Sequence, residues 1–140
     1  MELPTQKKGA VTELQVASYL INLGYTVSSP FNPDSKYDLI LDVNNELLRL
    51  QVKTSRLSTT TSNSIVFNCR STTKNVSNCK KRRYTKEEID YFATYWDQKV
   101  YLVPVEQCST EKTLHLLPVT YSNQSYIEDY LADKILENLI

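Results

Sequence analysis

Apolar side chains recur at helical spacing near the start of the chain. Between residues 8 and 23 they are Val11, Leu14, Ala17, Leu20 and Ile21, and Gly24 supplies a C-terminal stop. The spacing predicts a first helix over residues 8–23. The residues after it predict a short strand at 25–28 and then a loop rich in proline, asparagine and serine at 29–36.

The next two segments alternate between apolar and polar residues, which is typical of strands. Residues 37–43 and 47–53 flank Asn44-Asn45, and the pattern predicts a hairpin that turns at those asparagines. Alternation gives the second strand an apolar and a polar face: Leu48, Leu50 and Val52 against Arg49, Gln51 and Lys53. A third strand of the same meander is predicted at 65–68.

The second half of the chain contains one strong signal for the start of a helix. Thr85-Lys86-Glu87-Glu88 has the pattern of a capping box, and Tyr84 can form a hydrophobic staple with Ile89. The helix predicted after it carries its apolar residues on one face, at Ile89, Phe92, Ala93 and Trp96.

Strands are predicted at 100–105 and 114–119, and a final apolar stripe predicts a helix over about residues 123–139. The stripe consists of Ile127, Tyr130, Leu131, Ile135 and Leu139. The elements therefore run αβββαβ with a small β–α extension, and the pattern alone allows an α/β or an α+β fold. A length of 140 residues predicts a single domain.

Composition narrows the class of protein. With 41% hydrophobic residues, no long apolar run and no apolar core in its first ten residues, the chain is expected to be soluble, cytoplasmic and independent of membranes. The three cysteines, Cys69, Cys79 and Cys108, are odd in number and lack zinc-site spacing, so they are interpreted as reduced thiols. A Cys69–Cys79 bridge is the less favoured alternative.

The net charge is zero, but the charges are strongly segregated. Residues 1–46 carry three basic and six acidic side chains, residues 47–86 carry ten basic and no acidic ones, and residues 87–140 carry three basic and ten acidic ones. A long stretch without a carboxylate favours a surface that faces a polyanion. A solvated basic loop without a function is the alternative.

The hairpin also brings together residues that suit a metal ion. Gln51 and Lys53 project side by side, roughly 6–7 Å apart, and face Asp38 on the partner strand. A carboxylate, an amide oxygen and an ammonium suit a hard cation and a water molecule. Asp34 is excluded because Pro-Asp-Ser-Lys is a turn sequence, and Asp42 lies about 13 Å further along the strand.

An acid on one strand and acid-X-Lys on the next resemble the PD-(D/E)XK nuclease superfamily, with Gln51 in place of the second acid. The segment from Lys8 to Glu13 resembles the Gly-x-x-x-Glu start of the first helix in archaeal Holliday-junction resolvases. About residues 7–105 are similar to the small homing endonucleases encoded in group I introns. The matching runs are Lys8–Thr54, Tyr84–Asp90 and Tyr101–Pro104.

This resemblance implies an α/β fold with a restriction-endonuclease-like core of order αβββαβ and a small β–α extension. It implies a sequence-specific double-strand DNA endonuclease that hydrolyses phosphodiester bonds with Mg²⁺ and without an organic cofactor. The implied catalytic residues are Glu13, Asp38, Gln51 and Lys53, and the implied metal ligands are Asp38, Gln51 and the carbonyl of Val52. Because Gln51 is neutral, Glu13 is inferred to restore the usual pair of carboxylates.

Contacts with double-stranded DNA are expected from a basic insert at about residues 69–86 and from basic residues near it. The expected contacts are Lys8, Arg56, Arg70, Lys74, Lys80, Lys81, Arg82 and Arg83. One small domain covers only about 600–1,000 Å² on DNA, so a homodimer or homotetramer is expected. The C-terminal helix lies either at its interface or over its own core. A junction resolvase of the same fold and a catalytically silent DNA-binding module remain open as alternatives.

Overall fold

The structure, a computed structural model, describes residues 1–74 and 79–140, and the side chains of residues 72–81 lie outside that description. Its helices are α1 (Thr5–Asn22) and α2 (Ala132–Glu137). The strands within these ranges are β1 (Thr26–Ser28), β2 (Leu39–Val43), β3 (Glu46–Val52), β4 (Arg56–Leu57), β5 (Ser64–Asn68), β6 (Arg70–Lys74), β7 (Cys79–Arg83), β8 (Tyr91–Trp96), β9 (Lys99–Pro104) and β10 (Glu111–His115). Short 3₁₀ turns cover Val105–Gln107 and Ile127–Tyr130.

The main sheet is built around the hairpin that the sequence predicts. Its strand order is β1-β2-β3-β8-β9, and its pairs are antiparallel except for the parallel pair β3–β8. Asn44 and Asn45 have φ angles of 51° and 72°, which a two-residue hairpin turn of this hand requires and asparagine tolerates. The predicted hairpin is confirmed, as are the first helix and the strands at 25–28 and 100–105.

The crossover between the parallel strands β3 and β8 holds most of two further sheets. Strands β4, β5 and β10 form an antiparallel sheet in the order β10-β5-β4. Strands β6 and β7 form a two-stranded ribbon in which Arg70 is paired with Arg83. The basic insert expected at about residues 69–86 therefore contains the strands β6 and β7, and the strand predicted at 65–68 belongs to the second sheet rather than to the meander.

Apolar cores lie on both faces of the main sheet. One face packs against α1 and α2 and buries Val16 and Leu20 with Leu50 of β3. The other face packs against the second sheet and buries Phe92 of β8 with Phe67 of β5. The molecule is therefore layered as helices, main sheet and second sheet. The polar residues of β3 share the face that looks toward the second sheet.

The prediction of a helix after the capping box is wrong, because Tyr91–Trp96 forms the strand β8. The box itself exists, since the N–H of Thr85 donates to Glu88 Oε1 over 3.0 Å. It closes a single turn, and the chain then enters the middle of the main sheet with aromatic residues that favour strands. A strand buried on both faces carries a continuous apolar run, which periodicity alone does not separate from a buried helix.

The apolar stripes predicted for the two terminal helices also differ from what the structure buries. In α1 the buried residues are Thr12, Val16 and Leu20, whereas Leu14 is 71% and Ile21 56% exposed. The C-terminal stripe is divided between a 3₁₀ turn and the short α2, and both pieces bury residues in the protein's own core. A narrow stripe of buried residues is enough to hold α1 against the main sheet, because the sheet contacts the helix on one side only.

Smaller predictions have mixed outcomes. The strand predicted at 114–119 lies earlier in the chain, as β10. Cys69 and Cys108 are free thiols, as predicted, and both are buried. The side chain of Cys79, and with it the Cys69–Cys79 alternative, lies outside the described residues. No helix in the described ranges is long and apolar enough to cross a membrane.

Candidate active site

Asp38 lies immediately before β2, where the neighbouring strand already fixes the main chain. Its N–H donates to the carbonyl of Leu50 over 2.8 Å. Its Oδ2 accepts two hydrogen bonds, from Gln51 Nε2 at 2.8 Å and from the N–H of Val52 at 2.9 Å. The structure thus brings Asp38, Gln51 and Val52 together and holds the carboxylate rigidly.

Gln51 acts as a hydrogen-bond donor in this arrangement. An ionised carboxylate only accepts hydrogen bonds, so the NH₂ end of the Gln51 amide has to face Asp38 Oδ2. No described residue donates to Gln51 Oε1 or to Asp38 Oδ1. The N–H and C=O of one strand residue point to the same side, so the carbonyl of Val52 points to the same edge of β3 as the N–H that binds Asp38. Three oxygens are left there for other partners.

Glu13 reaches the same place from α1. Its neighbour Thr12 is buried and shares a 2.8 Å hydrogen bond between hydroxyl oxygens with Thr54, just beyond β3. This contact ties the N-terminal half of α1 to the end of the strand that carries the motif. Glu13 and Asp38 consequently line one polar cavity of about 210 Å³.

The two carboxyl groups are desolvated and repel each other. Burial raises the pKa of Asp38, and the hydrogen bond from Val52 and the charge of Lys53 offset part of that rise. Burial also raises the pKa of Glu13, and the negative charge of Asp38 adds to it. A hard cation between two such carboxylates relieves both effects.

The donor set fits a divalent ion such as Mg²⁺, which prefers oxygen ligands and keeps several water molecules. Among the described residues no three His, Cys, Asp or Glu side chains come together as a metal site. The ion would therefore take its remaining ligands from Gln51, from the carbonyl of Val52 and from water.

Lys53 lies on the same face of β3 and is held at both its backbone and its side chain. Its N–H donates to the carbonyl of Ala93 at 2.9 Å. Its Nζ donates to the carbonyl of Arg70 at 3.0 Å and lies 5.5 Å from the centre of the Tyr84 ring. Burial lowers the pKa of Lys53, and the negative charge of Asp38 opposes that shift. The site thus offers a poorly hydrated ammonium that interacts with the charge of Asp38.

Two residues that support the site, Tyr84 and Arg49, carry no signal in the sequence for these roles. The sequence predicts only a helix staple for Tyr84, and it predicts no role for Arg49. Arg49 joins β3 to the end of the crossover, just before β8. Its N–H donates to Asp90 Oδ2 at 2.8 Å and its Nη2 to the carbonyl of Lys86 at 2.9 Å. Only the parallel pairing of β3 with β8 brings these segments together, and no local pattern indicates that pairing.

The arginines of the ribbon, formed by β6 and β7, differ in how firmly they are held. Arg82 makes a bidentate pair with Glu88 at 3.0 and 2.8 Å, and this pair lowers the pKa of Glu88 to about 2. Arg83 Nη2 reaches the carbonyl of Cys108 at 3.5 Å. Arg70 has a buried Nε without a hydrogen-bond partner among the described residues. The ribbon begins next to Lys53, because the carbonyl of Arg70, its first residue, accepts a hydrogen bond from Lys53 Nζ.

Of the other residues predicted to contact DNA, two lie at the surface away from the ribbon, and three have side chains outside the described residues. Lys8 and Arg56 form ion pairs at the surface with acidic side chains, at 2.8 and 3.0 Å. Exposed pairs of this kind contribute little to stability. The side chains of Lys74, Lys80 and Lys81 lie outside the described residues.

Known proteins resemble the chain in sequence and in structure. A family model described as PD-(D/E)XK endonuclease matches residues 3–131. The structure of a bacterial homing endonuclease, I-Ssp6803I, matches with a TM-score of 0.75 and 26% sequence identity, over 97% of this chain and 95% of that chain. No curated protein sequence matches. The resemblance and the restriction-endonuclease-like fold predicted from the sequence are confirmed.

Proposed function

The chain belongs to the PD-(D/E)XK endonuclease family, and we propose that it is a sequence-specific endonuclease of the homing type, which cuts both strands of duplex DNA with Mg²⁺. The observation that carries this proposal is the grouping of Glu13, Asp38 and Lys53 where the basic ribbon leaves the core. Desolvated carboxylates and a lysine suit phosphodiester hydrolysis, and a basic ribbon suits a polyanion. The homing activity is inferred from the similarity to I-Ssp6803I.

The contacts of each residue support a separate role. Asp38 would hold a divalent ion together with Gln51 and the carbonyl of Val52, and Gln51 orients the Asp38 carboxylate through its Nε2 hydrogen bond. A divalent ion held there supplies charge neutralisation and polarises the scissile phosphate. Glu13 provides the second negative charge. Lys53 orients the attacking water and stabilises the negative charge that develops on the phosphoryl oxygens.

The ribbon is the surface that we assign to DNA recognition. A two-stranded antiparallel ribbon fits the major groove, and residues 70–83 include six basic side chains. The hydrogen bond from Lys53 Nζ to the carbonyl of Arg70 ties the base of the ribbon to the site. A duplex that contacts the ribbon therefore also comes close to the carboxylates.

We infer that the enzyme acts as a homodimer or homotetramer. One site cuts one strand, so a double-strand break takes two copies of the chain. Apolar residues of α1 that face solvent offer a surface for association, with Leu14 71%, Ile21 56% and Val11 41% exposed. The C-terminal stripe is the poorer candidate because it covers its own core.

A cleavage assay separates this function from its alternatives. Linear duplexes with a randomised central segment and an immobile four-way junction are incubated with the protein in Mg²⁺ or in EDTA. We expect Mg²⁺-dependent double-strand cuts at one recurring sequence, with 5′-phosphate and 3′-hydroxyl ends. Cutting of the junction without regard to sequence would instead support a resolvase. Binding without any cutting would support a silent DNA-binding module.

Glu13→Gln is expected to lower the single-turnover cleavage rate about a hundredfold or more. The substitution keeps the size of the side chain but removes the second carboxylate, which neutral Gln51 does not replace. Raising the Mg²⁺ concentration should recover part of the loss. Glu2→Gln, at an exposed ion pair with Lys8, is the control and should keep the full rate. A wild-type rate for Glu13→Gln at low Mg²⁺ would remove Glu13 from the site.

Replacing Lys80, Lys81, Arg82 and Arg83 by alanine should weaken DNA binding and flatten its salt dependence. The slope of log K against log salt is expected to fall by roughly 0.9 for each phosphate that the variant no longer neutralises, as measured by fluorescence anisotropy. A Lys99→Ala/Lys134→Ala variant removes charge from the acidic C-terminal part and should keep the wild-type slope. If the slope of the fourfold variant is also unchanged, the DNA surface lies elsewhere, for instance at residues 54–64, which include β4.

A further inference from the structure

The ammonium group of Lys53 rests against an aromatic ring. Its Nζ lies 5.5 Å from the centre of the Tyr84 ring, inside the distance at which the negative face of a ring attracts a cation. The same Nζ donates to the carbonyl of Arg70 at 3.0 Å. Lys53 is half-buried, and the attraction between a cation and a ring is stronger where water is scarce. The Tyr84 ring and the carbonyl of Arg70 thus replace part of the hydration that the ammonium of an exposed lysine would have.

The Tyr84 ring is itself held in place. It meets the ring of the buried Phe92 edge-on, with centroids 5.5 Å apart and planes at 86°. On either side of Tyr84 in the chain, Arg82 and Thr85 both bind the carboxylate of Glu88. The backbone that carries the ring is therefore fastened before and after it, and the ring presents one face at one position.

We propose that Tyr84 is a positioning residue for Lys53, whose ring face keeps the ammonium directed at the place where water and phosphate meet. This inference rests on the nuclease function proposed above. A lysine side chain has many rotamers, and selecting one of them costs conformational entropy. The ring offsets that cost by its attraction for the cation. Because Tyr84 directly follows β7, the DNA-facing ribbon ends at the residue that holds the lysine.

Three variants test the role of the ring: Tyr84→Leu, Tyr84→Phe and Tyr126→Leu. Tyr126 is another half-buried tyrosine on the same core, so its replacement controls for lost ring volume. Tyr84→Leu is expected to lower kcat about 10–100-fold and to change the KM for duplex DNA by less than about threefold. Tyr84→Phe keeps the ring face and should restore kcat to within about threefold of wild type. Tyr126→Leu should leave kcat unchanged.

Two kinetic outcomes would overturn the proposal. If Tyr126→Leu loses as much activity as Tyr84→Leu, packing of the core explains the effect. If Tyr84→Phe loses as much as Tyr84→Leu, the hydroxyl group acts rather than the ring face.

An NMR measurement tests the contact without relying on cleavage. A ring face shifts the ε-methylene protons of Lys53 upfield, and Lys53→Arg assigns their signals. The shift should persist in Tyr84→Phe and disappear in Tyr84→Leu. A shifted signal in a protein that cuts no DNA would support the contact and refute the proposed function. An unshifted signal in an active nuclease would refute the inference about Tyr84 alone.

Discussion

Asp38→Asn should abolish cleavage, with a fall in kcat of about a thousandfold or more, while the protein stays folded. The asparagine oxygen can still accept the hydrogen bonds that Gln51 and the N–H of Val52 donate to Asp38 Oδ2. The geometry therefore survives, and what is lost is the negative charge and a ligand oxygen. DNA affinity, measured in EDTA, is expected to stay within about threefold of wild type.

Thermal unfolding reports on the same substitution independently of DNA. Burial raises the pKa of Asp38 in the folded protein. Stability is therefore lost as the pH rises from the ordinary carboxyl pKa through the raised one, because the ionised group is then buried. At neutral pH Asp38→Asn removes that cost, so its Tm without metal should equal or exceed that of wild type. Mg²⁺ should raise the Tm of wild type by binding the folded state but leave the variant unchanged.

Asp34→Ala is the matched control, because Asp34 is exposed in the turn that precedes Asp38. It should keep both the cleavage rate and the response of Tm to Mg²⁺. If Asp34→Ala is inactive and Asp38→Asn is active, Asp34 is the acid of the motif.

Lys53→Met should lower kcat about 100–1,000-fold, which is the usual loss when one group that stabilises transition-state charge is removed. Methionine keeps most of the stem and removes the ammonium, so the packing beside Tyr84 is largely preserved. Unlike Asp38→Asn, this variant should retain the rise of Tm with Mg²⁺, because Lys53 is not a ligand. Calorimetry with and without Mg²⁺, together with single-turnover cleavage, measures both quantities.

The control for Lys53 is Lys36→Met, which removes an exposed positive charge from the loop before Asp38. Its cleavage rate should match that of wild type at moderate salt. A Lys53→Met protein that cleaves at the normal rate would show that the ammonium has no part in the chemistry. Loss of its Mg²⁺ response would show that the substitution disturbs the metal site instead.

The hairpin of β2 and β3 is predictable because several local signals agree on it. Alternation, the Asn44-Asn45 turn and the spacing from Asp38 to Lys53 all lie within residues 37–53. Each depends on residues close in sequence, so tertiary contacts do not have to be known. The grouping of Asp38, Gln51 and Val52 follows from that hairpin alone.

The prediction of a second helix is wrong because it extends a true local signal too far. The capping box forms its hydrogen bond, but the apolar run after it fits a buried strand as well as a helix. A turn at Asp97 and Gln98, with φ angles of 49° and 67°, joins β8 to β9. Glutamine seldom occupies such a position, so no turn pattern indicates this second hairpin.

Charge counts predict a basic surface but not which charges are already paired. Arg82 is bound to Glu88, five residues beyond the ribbon, and that partner becomes visible only in three dimensions. Tyr84 escapes prediction for the same reason, because its contact with Lys53 spans the whole crossover.

The parallel pairing of β3 with β8 also determines when the site becomes complete during folding. The hairpins β2–β3 and β8–β9 close over short loops and can form within microseconds. Joining β3 to β8 requires closure of the whole crossover. The conformational entropy of that segment is therefore lost before the contacts between the two strands are gained. The backbone bond from Lys53 to Ala93 belongs to this late step. A nascent chain can thus display its basic residues to nucleic acid well before it is able to cut it.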